Sequence, residues 1–185
     1  MSRRPLVALA LLAPLSVLAS VVIAMSMEEM TTRSPLVIRG TVHRVDTQWA
    51  EGRTKIWTYS EVVVHETIKG ASRTSVLVKQ PGGVIGNIGE RVSGAALFTP
   101  GEDVVLFLEP AADEPNAFVP FAMSAAKVSL VNKGGRRVAV RDLSGVSFAS
   151  PGKRGVIRPV DERETLGFEE VFLERIRAAA KGGAR

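Results

Sequence analysis

Hydrophobic and polar positions alternate through residues 36–45 (LVIRGTVHRV). Leu36, Ile38, Gly40 and Val42 fall on one side, and Val37, Arg39, Thr41 and His43 on the other. A period of two in a run rich in β-branched residues predicts a strand with one buried face. Gly40 inside it predicts a bend or a close backbone approach. Beyond the turn residues of 48–54 (QWAEGRT), a second strand is expected over 56–68 and, past Lys69-Gly70, a third over 74–80. Residues 102–109 (EDVVLFLE) follow a Pro100-Gly101 turn as a continuous apolar run and read as a fully buried strand. Shorter strands are expected at 118–121, 127–131 and 137–140, the last two joined through residues 132–135, with a looser stretch over 142–159.

The spacing becomes helical at both ends. Ser26-Met27-Glu28-Glu29 fits a capping box. It predicts a short helix through Met30 that ends before Pro35, with Met27 and Met30 packed on the domain. Phe168, Val171, Phe172, Ile176 and Ala179 predict an amphipathic helix from about Thr165 to Lys181, stopped by Gly182 and Gly183. The fold class that follows is mainly β: a small OB-like barrel or sandwich with a short N-terminal helix and a C-terminal amphipathic helix. One β domain is expected over 25–159, with the helix of 160–185 packed on it.

The first 24 residues read as an address. Ser2-Arg3-Arg4-Pro5 is a basic head, residues 6–24 carry no charge, and Val22-Ile23-Ala24 ends the run in residues a signal peptidase accepts. A run of about 20 apolar residues also fits an uncleaved membrane anchor, although Pro14 and the small residues favour cleavage after Ala24. On either reading the rest of the chain is exported, to the periplasm or the extracellular space.

Composition narrows the chemistry. Hydrophobic residues make up 45% of the chain, enough for a real core. The formal charge is +5, to which Arg3 and Arg4 of the address contribute two. The remainder is a mildly basic surface on which KGGRR (133–137) reads as a solvated turn, and no nucleic-acid partner is expected. Aromatic residues, at 5%, are too sparse to suggest a base-stacking or sugar-stacking surface. The absence of cysteine excludes thiol nucleophiles, disulfides, thiolate zinc sites and a lipid-bearing cysteine anchor.

The two histidines, His43 and His65, are the first candidates for a metal. If the first two strands form a hairpin centred near Gly52, His43 faces Glu61 and His65 faces Arg39. The histidines then stand about 13 Å apart, at roughly 3.3 Å per residue, too far to share an ion whose ligands lie within about 2.1 Å. Ser93 and Ser144 precede glycines but lack the G-x-S-x-G elbow. The acidic pairs Glu102-Asp103 and Asp113-Glu114 lie beside turn residues, where solvated charge is expected. No catalytic residue, metal or cofactor is therefore assigned.

The unusual segment is 81–100 (PGGVIGNIGERVSGAALFTP), with five glycines. Gly83, Gly86 and Gly89 lack the spacing and the strand–helix context of a nucleotide site. Two readings stay open: a surface loop whose glycines permit positive φ, or a loop of about twenty irregular residues that binds a partner. On the second reading the contact candidates are Gly83, Gly86, Gly89, Arg91, Ser93 and Phe98.

The segments MEEMTTRSPLVIRGTV, WTYSEVVVHETIKG, VLVKQPGGVIGNIGERVSGAALFTPGEDVVLFL and RDLSGVSFA, with the last helix, resemble a family of uncharacterised exported bacterial proteins. That resemblance implies no activity. The order of residues 37–45, 59–70, 76–79 and 101–108 is also similar to netrin-like domains of metalloproteinase inhibitors, which implies an OB-type barrel. Those inhibitors act through an N-terminal cysteine, which this chain lacks, so their mechanism does not carry over. The expected function is a non-enzymatic binding module for a protein, an exported protease among the candidates, with no small-molecule ligand inferred. The alternatives are an envelope structural or chaperone-like protein acting through the C-terminal helix, and a hydrolase using carboxylates or His65.

Overall fold

The computed structural model describes residues 21–23, 25–143, 146–149, 157–160 and 163–183. The expected address lies outside these apart from Val21–Ile23, and half of the stretch expected to be loose, residues 142–159, lies outside them too. In chain order the first strands are β1 (Val21–Ile23), β2 (Leu36–Trp49), β3 (Ile56–Lys69), β4 (Ser75–Pro81), β5 (Gly83–Ile85) and β6 (Ile88–Glu90). They are followed by β7 (Asp103–Pro110), β8 (Ala117–Pro120), β9 (Lys127–Lys133), β10 (Arg136–Asp142), β11 (Val146–Ala149), β12 (Ile157–Val160) and β13 (Arg163–Phe168). The helices are α1 (Met27–Arg33) and α2 (Glu169–Gly182).

Eight strands form one sheet in the order β13-β10-β9-β7-β2-β3-β4-β8, and β8 also pairs with β7. The pairings β7–β2–β3–β4–β8–β7 thus run round a five-stranded ring, with β4 and β8 parallel and the other neighbours antiparallel. Closure is partial. β4 meets β8 only through Leu77↔Ala117 and Val78↔Phe118, and β8 meets β7 only from Leu108↔Pro120 to Pro110↔Phe118. This is a barrel of the partly open, OB-like kind. β9, β10 and β13 extend from β7 as a wing, β5 and β6 form a separate hairpin, and β1, β11 and β12 form a small third sheet.

Two apolar cores share the long strands. Leu36, Ile38, Val42, Val62, Val78 and Leu106 fill the ring, while Met30, Val37, Phe107, Phe172 and Ile176 meet between the sheet and the helices. β7 serves both: Val104, Leu106 and Leu108 point into the ring, and Val105 and Phe107 point to the helices. A strand buried on both faces has no polar alternation, which is why EDVVLFLE is apolar throughout.

Both helices fit their sequences, with one shift of boundary. The Ser26 hydroxyl accepts the Glu29 amide at 3.0 Å and starts α1, whose Met27 and Met30 are buried. α2 begins at Glu169 rather than near Thr165, because residues 163–168 pair with β10 as β13. Gly167, at φ 117°, breaks any helical path there. The buried side of α2 is Phe172, Leu173, Ile176 and Ala180, while Val171 is 53% exposed. Arg175 pairs with Glu28 of α1 at 2.6 Å and Arg177 with Glu66 of β3 at 2.7 Å. At the start of α2, Glu169 is gripped by Arg39 at 2.8 Å and Arg137 at 2.5 Å. No helix among the described residues is long and apolar enough to cross a membrane.

The β2–β3 hairpin departs from uniform pairing. Its register shifts between Val37 and Ile38, between Arg39 and Gly40, and between Val42 and Arg44. Each shift inserts one unpaired residue, and His65 and His43 are two of the three. Glu61 therefore faces Arg44 instead of His43, and Arg39 faces Glu66 instead of His65. Beside the second bulge, a Cβ on Gly40 would stand 2.3 Å from the Val63 carbonyl, the close approach expected there.

Candidate functional site

The glycine-rich segment divides into two parts with different physical roles. Its first part, residues 83–90, is a regular hairpin, a departure from the irregular loop expected. Its strands are joined by Gly86-Asn87, with Gly86 at φ 61°, the turn position that a two-residue hairpin gives to glycine. The base is pinned to the barrel. Thr58 Oγ1 donates to the Gly82 carbonyl at 2.6 Å, Thr47 Oγ1 to the Val84 carbonyl at 2.8 Å, and the Ile56 amide to Glu90 at 2.6 Å. Gly83 sits at φ 141°, where a Cβ would stand 2.6 Å from Thr58 Oγ1 and 2.7 Å from Thr47 Cγ2. Gly89 has open space around it, its nearest neighbour being Val84 at 3.7 Å.

From this base the hairpin shows two aliphatic side chains to solvent. Val84 is 64% exposed and Ile88 52% exposed. Arg91 and Ser93 follow, both exposed.

The second part is a strap across the barrel. The Gly94 carbonyl accepts the Ser124 amide at 2.8 Å, and Ala96 and Phe98 join the core of the ring. Lys127 donates to the Leu97 carbonyl, lies 5.2 Å from the Phe98 ring centre, and pairs with Glu102 at 2.7 Å. Of the six candidate contacts, the fold gathers Gly83, Gly86 and Gly89 in one hairpin with Arg91 and Ser93 next along the chain. Phe98, only 9% exposed, is set apart in the core.

The histidines stand in separate bulges. Thr41 Oγ1 donates to Asp103 and lies 2.7 Å from His65 Nε2. With its own proton committed to the carboxylate, the hydroxyl can only accept, so Nε2 of His65 carries the hydrogen. Burial pushes the Asp103 carboxyl up, but hydrogen bonds from Thr41 and Arg137 outweigh it and leave the group below its ordinary value. Among the described residues, no three His, Asp or Glu side chains gather as a metal site.

A second cluster escaped the reading of the sequence. On β3, Ile56, Thr58, Ser60 and Val62 point into the ring, so Trp57, Tyr59 and Glu61 point out. Lys79 of β4, 5% exposed, lies opposite Tyr59. Its ammonium reaches Asp113 at 2.9 Å and Glu114 at 3.1 Å, and lies 4.4 Å from the Trp57 ring centre. The Tyr59 hydroxyl donates to Glu114 at 2.9 Å. Burial lowers the proton affinity of Lys79, but its bonds to Asp113 and Glu114 outweigh that and hold it above the ordinary lysine value. The signal was present in the alternation of Trp57 and Tyr59, but an aromatic content averaged over the whole chain hides it.

No family model matches the chain, and no curated protein matches it.

Proposed function

We propose that this protein is an exported, non-enzymatic binding module that holds a protein partner through the hairpin of residues 83–90. The observation that carries this reading is a hairpin pinned to the barrel that nevertheless exposes aliphatic side chains. Thr47, Thr58 and Glu90 fix the hairpin to the barrel, while Val84 and Ile88 face solvent. A preformed hairpin loses little freedom on binding, and the exposed aliphatic side chains, Val84 on one face of the hairpin and Ile88 on the other, supply apolar area for the association. Arg91 and Ser93 form a polar border on one side. Export is supported by the basic-then-apolar start of the chain. The alternative, client holding through α2, would need Phe172, Leu173 and Ile176, which are buried in the domain's own core.

The test is a crosslinked pull-down from the exported proteome with the full chain and with the double variant Val84→Asp/Ile88→Asp. A partner captured by the wild type and lost in the folded double variant is expected. A partner retained by the double variant would remove the hairpin from the function.

A further inference from the structure

The outer surface of β2, β3 and β4 carries a second arrangement, on the side of β3 opposite the ring interior. Directly opposed residues share a face of the sheet, so the register sets out three rows. They read Gln48–Trp57–Pro81, Asp46–Tyr59–Lys79 and Arg44–Glu61–Leu77. Both tryptophans and the only tyrosine of the chain fall between positions 49 and 59. Of these, Trp57 and Tyr59 lie on this face, while Trp49 pairs with the inward-facing Ile56.

Trp57 is a supported platform. Lys79, buried and held by Asp113 and Glu114, lies against its ring at 4.4 Å, and the exposed Lys55 lies against it at 4.5 Å. The buried ammonium is fixed, whereas the exposed one sits on a flexible stem and can leave. Pro81 extends the flat apolar strip on one side and Gln48 offers an amide on the other. Along the sheet from the platform, Asp46 lies one row away and Arg44 and Glu61 two rows away, a line of planar hydrogen-bonding groups.

The charge of this face selects the class of ligand. Arg44 is paired with Asp46 at 2.9 Å and Glu61 at 3.9 Å, and Lys79 is paired with Asp113 and Glu114. The cations are thus mostly matched by carboxylates of this face and of the adjoining loop 111–116, which is the reverse of a polyanion groove. An aromatic plate bordered by amide, carboxylate and guanidinium groups suits a molecule with a C–H face and a hydroxyl edge. We propose that this face binds a neutral sugar chain, with one ring stacked on Trp57 in place of Lys55, hydroxyl groups bonded to Gln48 and Asp46, and a further ring of the chain reaching Glu61 two rows away. The surface covers the second and third strands of the ring between loops 50–55 and 111–116, a position that barrels of this kind use for oligomeric ligands.

The experiment uses the full chain and a panel of uncharged hexasaccharides, chitohexaose and cellohexaose included, with a twelve-residue deoxythymidine strand as the nucleic-acid arm. In Trp49→Phe the sole indole is Trp57, and a saturable fluorescence change on adding a hexasaccharide is expected. By calorimetry Trp57→Ala should weaken binding at least tenfold, and Gln48→Ala should weaken it less, with far-ultraviolet circular dichroism unchanged in both. Val84→Asp/Ile88→Asp should bind the sugar as the wild type does, which separates this surface from the hairpin. Binding to none of the hexasaccharides, equal binding by Trp57→Ala, or tighter binding to the oligonucleotide would each overturn the proposal.

Discussion

Gly83 and Gly89 lie at the base of one short hairpin, yet their backbones ask different things of the side chain. At Gly83 the positive φ and the closeness of Thr47 and Thr58 leave no room for a methyl group. At Gly89 the same methyl meets only Val84 at ordinary contact distance. Gly83→Ala should therefore cost more than about 1 kcal/mol, in line with strain at a special backbone position. Gly89→Ala should stay within about 0.5 kcal/mol. Urea unfolding of the two variants checks this, and equal losses would mean that the base of the hairpin is not the constraint described. The sequence shows three glycines at equal spacing and gives no ground for ranking them, because rank depends on Thr47 and Thr58, which come from two other strands. Phe98 shows the same limit. In sequence it is an aromatic residue in a loop, and only the Gly94–Ser124 bond and the Lys127 contacts turn that loop into a strap.

Among the elements, α2 depends most on charge. Glu28 lies below the ordinary carboxylate value, first through a backbone hydrogen bond and then through Arg175; Glu66 lies below it through Arg177. A carboxyl depressed in the folded state adds stability above its unfolded value and loses it as pH falls through its folded value. The grip on α2 should therefore weaken as pH drops below about 4. The double variant Glu28→Gln/Glu66→Gln should lose only about 1 kcal/mol at pH 7, since both pairs are partly exposed. Its melting temperature should then fall less than that of the wild type between pH 5 and pH 2; parallel curves would assign the acid sensitivity elsewhere. The existence and type of the long elements were legible, since periods of two and of 3.6 follow from one buried face. Two features were hidden. The start of α2 slipped because residues 163–168 are claimed by β10, and the hairpin register slipped because three bulges interrupt β2 and β3. Both depend on neighbours distant in sequence.

Across the whole molecule, the barrel is a ring completed late. β2 must find β7 as well as β3, and the hydroxyl of Thr41 meets Asp103 across 62 positions of chain. β8 can seal the ring only after β4 and β7 are in place, and it does so through a few residues. Chains dominated by such distant pairings fold in milliseconds to seconds, because loop-closure entropy is lost before the contacts repay it. Stopped-flow refolding should fall in that range, with Ala117→Gly at the seam speeding unfolding more than it slows folding. Until β8 arrives, β4 and β7 present open edges that a second chain can pair with, so the yield of refolding should fall as the protein concentration rises.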